Sequence, residues 1–152
     1  MASSLIDVLK ILFTRDLTKL REEISRYENE GNLWRVAPGT TNSGGNLCLH
    51  LIGNLNTYIA AEFGGTGYVR DRAHEFAGKD IPVAELLVMI DRTIVDVNKG
   101  LDEVAEEQLF QDYPQLVFAE KTTTEYFLVH LAGHLSYHLG QINYHRRMLE
   151  AG

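Results

Sequence analysis

The sequence predicts an all-α protein, an up-down four-helix bundle. Three observations predict it. Four segments carry apolar residues at steps of three and four. The stretches between them are rich in Gly, Asn, Thr or Pro. No segment shows the strict alternation of a half-buried strand.

The first helix is expected from about Ser4 to Tyr27, with Ser3 or Ser4 as its N-cap. Leu5, Leu9, Leu12, Phe13, Leu17, Leu20, Ile24 and Tyr27 form its stripe, and Gly31-Asn32 ends it. The second runs from about Ser43 to Glu62. Its entry, Pro38 to Ser43, is turn and cap chemistry. Leu47, His50, Leu51, Asn54, Leu55, Tyr58 and Ile59 share a face before Gly64-Gly65-Thr66-Gly67 breaks it. A long loop over 64–81 follows, of the kind that often carries function.

The third helix starts at Pro82, preorganised for a first helical turn. Val83, Leu87, Ile90, Ile94, Val97, Leu101 and Val104 give it a seven-residue repeat, the pattern of bundle packing. Gly100 weakens it without stopping it. A loop over 108–121 leads to the fourth helix, capped by one of Thr122–Thr124 and running to about Leu149. The 152 residues read as one domain, 1–152.

Composition narrows the function. The charge is −7, from 14 Lys+Arg against 21 Asp+Glu. Such a surface repels nucleic-acid phosphates, and the basic cluster His145-Arg146-Arg147 is too short to reverse that. No apolar run reaches the roughly 20 residues of a membrane-spanning helix. Neither nucleic acid nor membrane is therefore expected as a partner. The first ten residues lack the pattern of a secretory signal. The single Cys48 fits a reducing compartment, so a cytoplasmic location is expected.

Six histidines are present. His130, His134 and His138 are four apart, so adjacent pairs stand one turn apart on one face. Two neutral imidazoles at that spacing can share one ion, and an all-His set suits Zn, Ni, Cu or Fe. The three cannot all ligate easily: each step rotates the direction by about 40°, and His130 and His138 are about 12 Å apart along the axis. One adjacent pair binds, and the third ligand comes from elsewhere. His50, midway along the second helix, is the choice if helices two and four are neighbours. Gly133 and Gly140 favour His134 with His138, while periodicity alone also allows His130 with His134. Asn54 and Gln141 could orient a ligand or touch a bound molecule. There is no HExxH, so the zinc-protease arrangement is absent.

The segment His130-Leu-Ala-Gly-His134-Leu-Ser-Tyr-His138-Leu-Gly-Gln141 resembles the last-helix signature H-x3-H-x3-H-x-G-Q of the DinB-like superfamily. The stretch Asn42 to Leu51 resembles its second-helix signature, and Gly67 to Arg72 a loop found in its uncharacterised branch. The resemblance spans nearly the whole chain. It implies a four-helix bundle, commonly a homodimer, with one divalent metal on His50, His134 and His138. It makes His130 an extra histidine outside the ligand set. Leu139 departs from the pattern, since many relatives carry Arg there. Characterised relatives are metal-dependent transferases and isomerases that use low-molecular-weight thiols.

The expected function is therefore a metal-dependent transfer reaction on a small molecule with an activated thiol. Zn or Ni leads as the ion, with Mn or Fe next. Three ligands leave positions open, and a bound thiol becomes a nucleophile without further help. Hydrolysis wants a base, and no Asp or Glu lies within a turn of the three histidines in sequence. Glu62, Glu75 and Glu125 are the carboxylates that could approach in space. The alternatives are a metal-dependent hydrolase and a non-catalytic bundle that binds metal or a small ligand. Elsewhere, Cys48 is expected in the core, His74 and His145 at the surface, and Trp34 and Tyr113 over the bundle ends. Arg70 and Arg72 are expected to pair with Asp71 or Glu75 rather than bind an anion.

Overall fold

A computed structural model describes residues 4–151. Over these the chain is helical, and its one β feature is an isolated bridge between Asp112 and Thr123. Helix α1, Leu5–Arg26, is capped by Ser4, whose hydroxyl accepts from the Asp7 N–H. The alternative cap, Ser3, lies outside the described residues. Leu9, Phe13, Leu17, Leu20 and Ile24 are buried along α1, as the stripe predicts. After the single turn α2, Glu30–Leu33, the chain enters α3.

Helix α3, Gly44–Leu55, is capped by Ser43 and buried along its whole length. It continues as a wider π-wound turn, Asn56–Ala61, and one α turn, α4, Glu62–Gly64. Gly65 then closes it at φ 62°, a conformation that favours glycine. At the widening, the Asn56 amide donates to the Ile52 carbonyl and across to the Thr93 hydroxyl. The side chain thus shares an acceptor the helical ladder also uses.

The long connection is not wholly irregular. It contains a short helix, α5, Arg72–Ala77, capped by Asp71. Helix α6, Val83–Asp102, follows Pro82, which is its N-cap rather than its first residue. Its buried face is Leu86, Ile90, Thr93, Val97, Gly100 and Leu101. Val83, Leu87 and Ile94 are only partly buried, so the face is rotated from the expected seven-residue stripe. The reason is close approach to the α3 continuation. A Cβ at Gly100 would lie 2.7 Å from the Ile59 carbonyl oxygen, and Thr93 takes the Asn56 bond. A polar residue and a glycine therefore occupy core positions. A 3-10 turn, Glu106–Phe110, leads to α7, Thr124–Leu149, capped by Thr123.

The four long segments pack in a ring: α1 on α6 and α7, and α3 with its continuation on α7 and α6. Paired side chains give the directions. Lys10 meets Asp102 and Arg21 meets Asp91, so α1 and α6 are antiparallel. Tyr27 meets His145 and Glu23 meets Arg146, so the ends of α1 and α7 lie together and the helices run the same way. His50 meets His134 while Tyr58 meets Phe127, so α3 and α7 are antiparallel. The order is up, down, down, up, not the strict alternation expected. The connection through α5 carries the chain back along the length of α3, which lets α6 run parallel to it.

Candidate metal centre

The centre is built on the α3–α7 contact and closed by α5. Asn46, His50 and Gly53 stand at steps of four and three, on one face of α3. α5 lies against this face. The Asn46 amide donates to the carbonyls of Glu75 and Gly78, at 3.0 and 2.9 Å. His50 is buried and reaches both α5 and α7.

Because α3 and α7 are antiparallel, position 50 meets positions 134 and 138. Ring centroids are 5.1 Å apart for His50 and His134, 5.3 Å for His50 and His138, and 4.6 Å for His134 and His138. One nitrogen from each ring lies within 4.8 Å of the other two. The Nε2 atoms of His50 and His134 are 3.2 Å apart. Two nitrogens on a tetrahedral ion at bond lengths of about 2.1 Å would sit about 3.4 Å apart. The three imidazoles could therefore hold a metal ion.

Their protonation suits one. His50 Nδ1 faces Glu75 Oε1 at 3.0 Å. A carboxylate only accepts, so Nδ1 carries the hydrogen and Nε2 keeps its lone pair. His138 Nδ1 stands 2.7 Å from Gln141 Oε1, which leaves its Nε2 free in the same way. Burial, reinforced by His138, His50 and His130, pushes His134 down to about 4. Burial also lowers His50, outweighing the pull of Glu75 in the other direction. Both are neutral at pH 7, the state a ligand needs. His134 Nδ1 is buried without a partner, as are Asn54 Oδ1 and Thr57 Oγ1. Asn54 thus contacts none of the imidazoles by a hydrogen bond, whereas Gln141 orients His138.

Glu75 is the carboxylate that approaches, and sequence reasoning could name it only alongside two others. Arg70 grips it twice, Nε to Oε2 at 2.8 Å and Nη2 to Oε1 at 3.0 Å. Arg70 also reaches the Tyr58 hydroxyl at 3.5 Å and lies over its ring. The expected ion pair thus forms at Arg70. Arg72 instead lies over the Phe76 ring. Glu62 faces Gln115. Glu125 sits in the first turn of α7, about 13 Å along the axis from His134.

The remaining histidines divide. His130 is exposed and packs on Phe118, at 4.8 Å between ring centroids, outside the trio. His74 is exposed as expected. His145 is not: it is buried, with Nδ1 2.7 Å from the Tyr27 hydroxyl and Nε2 2.7 Å from the Arg35 carbonyl oxygen. The parallel packing of α1 and α7 brings Tyr27 over that position, and Gly44 leaves room for both rings. Cys48 is fully buried, and burial pushes its thiol up to about 12. Trp34 packs on Gly45, and the Tyr113 hydroxyl donates to the Tyr58 carbonyl, so both fill the helix ends. Leu139 is half-buried against the core.

Two cavities lie on either side of the trio along α7. One of about 650 Å³ runs from Phe118 to Thr123 and reaches His130. The other, about 360 Å³, is lined by Thr40, Thr41, Asn42, Leu47, Tyr144 and Gln141 among others. Its walls carry no Asp, Glu, Lys or Arg.

The profile of the family described as "Protein of unknown function (DUF1572)" matches residues 2–152. The chain belongs to the DUF1572 family. A crystal structure of a conserved protein from Enterococcus faecalis is similar to this DUF1572 chain, with a TM-score of 0.74 and 20% identity. The match covers 99% of this chain and 100% of that one. At that identity the likeness shows the fold alone. No curated protein matches.

Proposed function

We propose that this DUF1572 protein holds one divalent transition ion on His50, His134 and His138 and uses it to activate a low-molecular-weight thiol for transfer to a small electrophile. The observation that carries the reading is the convergence of three imidazoles from two helices, one nitrogen each within 4.8 Å. A divalent ion held there supplies a Lewis acid that favours the thiolate form of a thiol brought to it.

The chain's own residues do the rest. His50 and His138 are held in one tautomer by Glu75 and Gln141. Three ligands leave a position open, as catalytic sites do and closed structural sites do not. Glu75 is occupied by His50 and Arg70 and is not free to act as a base. That favours thiol transfer over hydrolysis, which needs one. The uncharged cavity beside Gln141 suits a neutral, partly apolar substrate. We infer further that the fold is a DinB-like four-helix bundle and that the protein is a homodimer, for which α7 offers an outer face of exposed Tyr126, Val129, Tyr137 and Tyr144. Zn or Ni leads as the ion, Mn or Fe follows, and a cytoplasmic location fits the lone buried thiol.

Cobalt-substituted protein titrated with 2-mercaptoethanol tests the reading. A new sulfur-to-cobalt absorption band, absent in His138→Ala, is the expected result. Cobalt bound by the trio with no band, and no thiol consumption with epoxide, alkyl halide or unsaturated-acid electrophiles, would overturn the thiol role.

A further inference from the structure

We propose that Glu75 is a positioning residue that fixes His50 with its Nε2 lone pair toward the metal position, and that Gly53 and Arg70 exist in this fold to hold Glu75 there. The inference rests on the three-histidine reading and goes beyond it by assigning what sets the affinity of the site.

Glu75 is 3% exposed, and both of its oxygens are used. Oε1 accepts from His50 and from Arg70, and Oε2 accepts from Arg70. A buried carboxylate is tolerated only when paired and hydrogen-bonded, and Arg70 meets that need. An ordinary ion pair would stop there. This one is aimed at an imidazole whose other nitrogen faces His134.

Gly53 makes the aim possible. A Cβ at that position would lie 2.0 Å from Glu75 Oε2 and 2.6 Å from its Cδ. Glycine inside a helix is a poor choice for helix stability, and here it vacates the volume the carboxylate fills. Asn46 holds the backbone of Glu75 from the same face of α3. Three positions of α3, at 46, 50 and 53, thus converge on one residue of α5. Ligating histidines in metal sites characteristically donate their second N–H to such an acceptor, and loss of that acceptor weakens metal binding 10–100-fold. The Arg70–Glu75 pair is neutral as a unit, so it orients His50 without adding net charge to the site.

Two variants and two readouts test this. Gly53→Ala keeps every ligand and charge but drives the carboxylate off His50. Arg70→Leu/Glu75→Leu removes the acceptor without leaving either charge buried alone. The first readout is the nitrogen NMR spectrum of metal-free, ¹⁵N-histidine-labelled protein, which reports the His50 tautomer. The second is the zinc dissociation constant, measured by competition with a chromogenic chelator. Wild type should show His50 protonated on Nδ1 alone. Both variants should lose that preference, keep their helical circular dichroism, and bind zinc 10–100-fold more weakly. If Gly53→Ala does not fold, the double variant decides. A mixed tautomer at His50 in wild type, or zinc affinities within twofold of it in the folded variants, would overturn the role given to Glu75. If wild type takes up no zinc, the metal reading fails, while the tautomer measurement still decides whether Glu75 orients His50.

Discussion

Helix α7 carries two histidine settings about 10 Å apart along its axis, and they are built to opposite ends. At His145 both ring nitrogens are satisfied inside the protein, by Tyr27 and by the Arg35 carbonyl. Nothing is left over for a ligand, and the ring ties the segment after α1 to the last turns of α7. At His50 and His138 one nitrogen is held by a side chain outside the trio, Glu75 for His50 and Gln141 for His138. The other nitrogens face each other and His134. His50 is buried like His145, while His134 and His138 are half-buried. What separates them is where the second nitrogen points.

The sharpest way to break this contrast is to exchange the losses. His134→Ala should lower zinc affinity at least 100-fold and leave the thermal midpoint of the metal-free protein near wild type. His145→Ala should do the reverse. It leaves the buried Tyr27 hydroxyl with only its longer contact to the Ile142 carbonyl and removes the partner of the Arg35 carbonyl, at a cost of about 2 kcal/mol, with zinc affinity unchanged. Chelator competition and thermal melts on the two variants check both halves. If His145→Ala loses the metal or His134→Ala collapses the fold, the division of labour is wrong.

A smaller effect sharpens the structural side of the contrast. Burial would raise the Glu23 carboxyl, but hydrogen bonds from Arg146 and Asn143 more than offset it and hold it below its ordinary value. A lowered carboxyl contributes stability that is fully present above its unfolded value of 4.5 and is lost as the pH falls through its folded value. Melts of metal-free protein below pH 4.5 should therefore show a shallower acid loss for Glu23→Gln than for wild type. Equal slopes would mean that Glu23 contributes nothing to the α1–α7 junction.

The trio was legible because both of its signals are local or nearly so. The four-residue steps from His130 to His138 fix a face of α7, and His50 sits at the middle of a strongly apolar helix. What the sequence left open was which adjacent pair stands with His50, and in the antiparallel register of α3 and α7 position 50 faces 134 and 138. Glu75 was one name among three, since it lies 25 residues from His50 in a stretch without hydrophobic periodicity. The signals that could have singled it out were Asp71 as a cap for α5 and Gly53 one turn after His50. The helix directions were not legible either. Periodicity places each helix but says nothing of whether the connection over 65–82 turns back at once or crosses the length of the fold. That crossing also explains His145, whose burial depends on α1 and α7 running together.

The most direct test of the account is elemental analysis of wild-type protein purified without a metal column, beside His50→Ala and His134→Ala. The account predicts about one divalent transition ion per chain in wild type and none in either variant. No ion in wild type, and none taken up from Zn, Ni, Mn or Fe, would contradict it.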